Sequence, residues 1–243
     1  MSTPQEGSLA EMSRNYRRLA GLAGLVMFAM AVIGFGFLLS GFPEATAPGG
    51  TIAAYFAGHQ LPVQIGIVVV MLSMPFYLFF ASAVLIRLRE SDVAHGENFA
   101  FGAAVGISGT AALVILQGAI WGLLASGLFA GAGATRLKAL FALGELLHPA
   151  AGVFLLLWYA CVGIAGLRHH RLPAALCWPA LALAVVEALY SLATVGLGGS
   201  ILHGFDPVEG GLSSLWTVAV SIWLLTGGKR AKTGQSAPQR LHA

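Results

Sequence analysis

Of the 243 residues, 57% are hydrophobic and only 9% are charged, with a formal net charge of +3. A soluble domain carries about a quarter of its residues charged, so this composition excludes a water-exposed globular surface. The small positive balance forms no basic face on a soluble domain, which excludes nucleic-acid binding.

Taken in chain order, residues 1–18 are a polar stretch with no apolar face of any length, expected to be a cytoplasmic tail. Six apolar windows follow, at 19–41, 63–86, 100–126, 139–166, 174–198 and 211–228. Each is long enough, at about 20 residues or more for all but the last, to cross a bilayer as a helix satisfying its own backbone hydrogen bonds. Short alternating strands of the kind a barrel needs do not occur. Ala45-Thr46-Ala47 has the form of a leader-peptidase site, but the preceding apolar run is too long and Pro48 follows the cut, so the first window reads as a retained helix. The expected fold class is therefore all-α: a polytopic transmembrane bundle of six spans over 19–228, closed by a basic tail at 229–243.

Between the first two spans lies GFPEATAPGGTIAAYFAGHQLP (41–62), long and almost uncharged. Thr51 is placed to cap a short helix ending at Gly58, with Tyr55 and Phe56 as interfacial anchors. Eleven of the thirteen Lys and Arg residues fall in segments on the N-terminal side of the membrane, leaving only Arg136 and Lys138 opposite. That asymmetry predicts cytoplasmic termini in an inner membrane, with lipids as the first partners. Cys161 and Cys177 then lie on the reducing side and read as small buried residues rather than a disulfide. His169-His170 reads as a polar turn. Gly102-x3-Gly106 and Gly118-x3-Gly122 have the spacing of close helix contacts, and the two halves of the chain show no internal repeat.

Four costly residues stand inside spans: Gln117, Glu145, His148 and Glu187. Ionisable groups in a bilayer core usually face the bundle interior. Counted from the ends of the windows at about 1.5 Å per residue, all four fall in the outer half, at similar height. Glu145, His148, Gly152 and Tyr159 share one helical stripe; Glu187, Tyr190, Ser191 and Thr194 share another; Thr110, Gln117 and Trp121 form a third, and Ser214, Thr217 and Ser221 a weaker fourth. Pro149 removes the helical partner of the Glu145 carbonyl and disfavours helical geometry at His148. His59, with His203 and Asp206 in the last outer loop, would stand at the mouth of a vestibule.

These stripes support an outward-facing polar pocket for a lipophilic or amphiphilic small molecule, bound or transported, with Gln117, Trp121, Tyr190, Ser191, Thr194, His203 and Asp206 as contacts. A second reading is a membrane-embedded enzyme in which Glu145, His148 and Glu187 perform acid–base catalysis. Membrane-integral terpene cyclases are similar in size, helix count and use of buried acids, an architectural likeness that carries over no residue. A third is a metal held by Glu145, His148 and Glu187 with His203 or Asp206, since Glu145-x-x-His148 has the spacing found in bundle di-iron sites; only one such pair exists, so no metal ligand set or other cofactor is assigned. The fourth is a bundle whose buried acids are protonated and merely hold helices together. The chain also resembles an uncharacterised class of bacterial six-helix membrane proteins in Ala53-Ala54-Tyr55-Phe56-Ala57 after the first span and Arg87-Leu88-Arg89-Glu90 closing the second. That resemblance implies location and no activity.

Overall fold

The computed structural model describes residues 4–38, 41–44, 46–129, 131–196 and 206–227. Within them the chain forms seven helices and no strand: α1 (Pro4–Leu38), α2 (Gly49–Gly58), α3 (Gln60–His95), α4 (Phe99–Ala125), α5 (Ala134–His169), α6 (Ala174–Gly196) and α7 (Asp206–Leu225). Five carry stretches long and apolar enough to cross a bilayer, in α1, α3, α4, α5 and α6; α7 offers a shorter apolar stretch, Gly210–Leu225. The chain therefore has the architecture of a helical integral membrane protein.

Packing follows a closed circuit: α1 on α3, α3 on α4, α4 on α5, α5 on α6, α6 on α7, and α7 back on α1. Small residues set the closest approaches. A Cβ on Gly66 would stand 2.8 Å from the Gly34 carbonyl oxygen, so α1 and α3 touch backbone to backbone. Gly21 of α1 does the same against the Ser221 backbone of α7, and Gly24 packs on the Ser221 hydroxyl and the Phe80 ring. Gly102 and Gly106 both face α5, against Cys161 and the backbone at Phe154 and Trp158. Of the other glycine pair, Gly118 packs on Met71 and Ile67 of α3, whereas Gly122 meets nothing within 4 Å.

Two apolar clusters fill the circuit. The larger joins Phe80, Trp158, Tyr159, Val220 and Leu224. The smaller gathers Leu38, Ile52, Tyr55, Phe56, Val63 and Phe141 at the end where α2 lies across the bundle. The outward faces carry Leu19, Val32, Phe101, Trp178, Leu189 and Leu192, all exposed, as lipid-facing helices require.

Several local expectations change. α1 begins at Pro4, so most of 1–18 continues the first helix, and Tyr16 docks on α3 through its hydroxyl bond to Ser82 (2.6 Å) and edge contact with Phe79. α2 starts at Gly49 after Pro48, with no side-chain cap; Thr51 is inside it, its N–H bonded to the Pro48 carbonyl. Tyr55 and Phe56 are buried core residues instead of interfacial anchors, because the Tyr55 hydroxyl donates to the Leu38 carbonyl at 2.9 Å and Phe42 closes over both rings. Burial pushes the Tyr55 phenol above its ordinary pKa. α5 runs unbroken through Pro149, and Pro75 and Pro179 are likewise accommodated inside α3 and α6. The two cysteines are free thiols, Cys177 buried and Cys161 partly so.

Candidate functional site

The α5–α6 contact is where intramembrane polar groups meet. Gly152 has no side chain, and the space a Cβ would take is bounded by Glu187 Oε2 and Ser191 Oγ, each 2.8 Å away. Glu187 is 1% exposed, and Ser191 donates to the Pro149 carbonyl at 3.0 Å. The ring of His148 meets Tyr190 edge to face at 5.7 Å. Thr194 turns back to the Tyr190 carbonyl at 2.9 Å. On α6 the opposite face, Val185, Leu189 and Leu192, is exposed. α6 thus holds its carboxylate, phenol and hydroxyl inward and its branched apolar residues outward, the polarity of a lipid-embedded helix with a polar interior.

The α5 stripe is continuous. Phe141, one turn before Glu145, and Tyr159, about three turns after His148, are both fully buried, and the Tyr159 hydroxyl bonds Ser213 of α7 while its ring meets Trp216 edge-on. Glu145 and His148, on the same stripe, are half-buried. The weaker stripe of α7 is interior as well, with Thr217 and Ser221 buried and Ser214 half-buried.

Heights along the seam differ from the sequence count. Extending the Ser191–Pro149 register by five residues along each helix pairs Gly196, the last residue of α6, with Gly144. The first ten residues of α5 therefore lie beyond the level of Gly196, over about 15 Å. Counted from the ends of the windows, at 139 and 198, the two carboxyls stood at similar height; the observed register sets them further apart. Glu187 lies level with Gly152, and Glu145 lies seven residues away along α5, about 10 Å. The two carboxylates share an interface without sharing a height. His148 lies between them.

From the other side, α4 approaches the same length of α5. Thr110 bonds the Gly106 carbonyl (3.0 Å) and reaches the Ala151 carbonyl (3.4 Å), and Trp121 packs its indole nitrogen on Gly144. That antiparallel register puts buried Gln117 level with His148. The Trp121 N–H is buried with no hydrogen-bond partner. Its ring meets Phe42 at 4.9 Å, and Phe42 meets Phe141 at 5.6 Å, so an aromatic layer roofs the seam. Beyond it, α2, α4 and α5 enclose an apolar cleft of about 160 Å³, lined by Ile52, Phe56, Leu124, Phe129 and Leu137 among others. His59 stacks on Tyr55 at 4.5 Å beside Gln60, which lines the cleft. His203 lies outside the described residues, and Asp206 opens α7 with its side chain outside them too.

A second polar cluster stands at the far end of the bundle. His169, expected in a polar turn, is 3% exposed in its side chain and holds Glu97 Oε2 at 2.6 Å through Nε2. Arg168 pairs with the other Glu97 oxygen at 3.0 Å, and His95 stacks on His169 at 4.2 Å. His170 alone fits the turn expectation, capping α5 in the left-handed region at φ 51°. Among the described residues, the His, Cys, Asp and Glu group whose ligand atoms lie within 4.8 Å of one another is Asp92, Glu97 and His169; Glu145, His148 and Glu187 do not form such a set. Sequence reading missed this cluster because His169 is 72 residues from Glu97 and none of the three lies deep in a span. The signal available was the placement of Asp92, Glu97 and His169 at helix ends on one side of the bundle.

The chain matches no protein-family model, no curated protein and no solved structure. What the fold defines is the class, a helical membrane protein, and the functional reading rests on the geometry above.

Proposed function

We propose that this is a six-span protein of the cytoplasmic membrane, with both termini on the cytoplasmic side, that binds and passes a lipophilic or amphiphilic small molecule along α5. The orientation rests on the Lys and Arg asymmetry. The sixth span is α7, whose 20 residues reach about 30 Å as a helix and which packs between α6 and α1. The observation that carries the binding reading is Glu187, a 1%-exposed residue in mid-helix whose carboxylate fills the place of a missing side chain at Gly152. Placing a carboxyl there is costly, and a bundle held by packing alone has no use for it. The apolar cleft, the aromatic layer with its buried indole N–H, and the seam with His148 and Glu187 succeed one another along α5, an order that suits an apolar body followed by a polar head.

The test is native mass spectrometry of the full chain extracted from its own membrane. The wild-type protein is expected to carry a lipophilic small molecule other than bulk phospholipid, and Glu187→Gln and Ala53→Trp, the latter filling the cleft, are expected to lose it while still accumulating as folded protein. Equal occupancy in all three would refute the reading. Chemical change of the retained molecule by wild-type protein, absent in Glu187→Gln, would turn the proposal into the enzyme reading of the same residues.

A further inference from the structure

Asp92 is 5% exposed and uses one carboxylate oxygen: Oδ2 accepts the Ala100 N–H at 2.6 Å, in the first turn of α4. Its other oxygen, Oδ1, is buried with no hydrogen-bond partner. A buried carboxylate oxygen without a donor is costly. Asp92 also belongs to a cluster with Glu97 and His169, in which one ligand atom from each residue lies within 4.8 Å of the others. The three come from different elements: Asp92 from the last turn of α3, Glu97 from the turn before α4, and His169 from the last residue of α5.

We propose that Asp92, Glu97 and His169 bind a divalent transition-metal ion of the zinc class at the end of the bundle opposite α2. One imidazole nitrogen and two carboxylate oxygens suit such an ion, with water completing the shell. Around a tetrahedral zinc, ligand atoms stand about 3.3 Å apart. The 2.6 Å between His169 Nε2 and Glu97 Oε2 is a hydrogen-bond distance, and the ion enters by parting the two groups by less than 1 Å. The surroundings already orient the ligands, as supporting contacts do in metal sites. His95 stacks on the His169 ring, and the Ala100 N–H fixes the Asp92 carboxylate. Arg168 is the opposing charge. Its side chain is 63% exposed, so it swings to solvent when a dication enters, and until then it competes for Glu97. Access is through Glu97, whose side chain is 18% exposed. The bound ion would clamp α3, the α3–α4 turn and α5 together, independently of the seam deeper in the bundle.

The experiment is equilibrium dialysis of tag-free, full-length protein in detergent, stripped with a chelator and titrated with Zn²⁺. About one equivalent is expected to bind the wild-type protein at micromolar free zinc. His169→Gln and Asp92→Asn are each expected to weaken binding by about tenfold or more, the asparagine keeping the acceptor for Ala100. Arg168→Gln, which removes the competing cation, is expected to tighten it severalfold, and His59→Gln at the other end to leave it unchanged. Absence of uptake by the wild-type protein overturns the site, as does uptake that both ligand variants retain. Should a ligand variant not accumulate, Arg168→Gln still decides: affinity that stays the same or falls counts against the site, leaving Glu97 and His169 as an ion pair only.

Discussion

Glu187 and Glu97 are both carboxylates packed against α5, yet they are held by different means. Glu187 sits in mid-helix, almost wholly out of solvent, and its place is made by an absence, the missing side chain of Gly152. Glu97 sits in a turn at a helix end and is held by two basic groups, Arg168 at 3.0 Å and His169 at 2.6 Å. In the apolar middle of a bundle the backbone must open a space before a carboxylate can enter. At its rim, where water reaches one oxygen, opposite charge suffices. The two sites should therefore respond to different perturbations, steric at the seam and electrostatic at the rim.

The largest effect is expected from filling the seam. Gly152→Leu forces a branched side chain into atoms 2.8 Å from where its Cβ must lie, and should destabilise the bundle by about 3 kcal/mol. Gly122→Leu, at a glycine with open space around it, should change stability by less than about 0.5 kcal/mol. Thermal unfolding in detergent, followed by loss of monodisperse protein, measures both. Equal effects at the two glycines would mean that the seam is not tightly packed.

A smaller effect is expected at the rim. Glu97→Gln removes the Arg168 ion pair and weakens the bond to His169 while keeping the side chain's size, and should cost about 1–2 kcal/mol, since His169 is buried and Glu97 is mostly so. Raising the ionic strength should weaken the wild-type protein partway toward that variant, with much less effect on the variant itself. The same salt series applied to a Glu187→Gln protein should run parallel to the wild type, because nothing at Glu187 is exposed enough to be screened. Salt sensitivity centred on Glu187 would break the distinction.

The helical class was legible from the absence of charge over windows the length of a bilayer: α3 and α5 contain the windows 63–86 and 139–166, α4 covers all but the last residue of 100–126, and α6 covers the described part of 174–198. The polar stripes were legible too, because the 3.6-residue period fixes which residues share a face: Gly152 and Tyr159 lie on one buried line of α5, and Glu187 and Ser191 on one of α6. What the period does not fix is the offset between neighbouring helices. Thus Glu145 and Glu187, judged to be at similar height from the ends of their windows, are separated by about two turns in the register that Ser191 and Pro149 set. Tyr55 shows a related failure: an aromatic residue in a polar connection is the pattern of an interfacial anchor, and only the closing of α2 over Leu38 makes it core. The Asp92, Glu97 and His169 group depended wholly on topology, since Glu97 and His169 are 72 residues apart and meet only because α3 and α5 end together.

The most direct test of the account is whether Gly152 and Ser191 face each other inside the membrane-embedded protein. In a background with Cys161→Ala and Cys177→Ala, the pair Gly152→Cys and Ser191→Cys should form a disulfide in native membranes under mild oxidation, detected by the two fragments staying joined after cleavage between α5 and α6. Gly152→Cys with Leu192→Cys, on the exposed face of α6, should not. Cross-linking at 191 well above that at 192 is the result predicted here, and equal cross-linking, or more at 192, would contradict the inward-facing seam on which the functional reading stands.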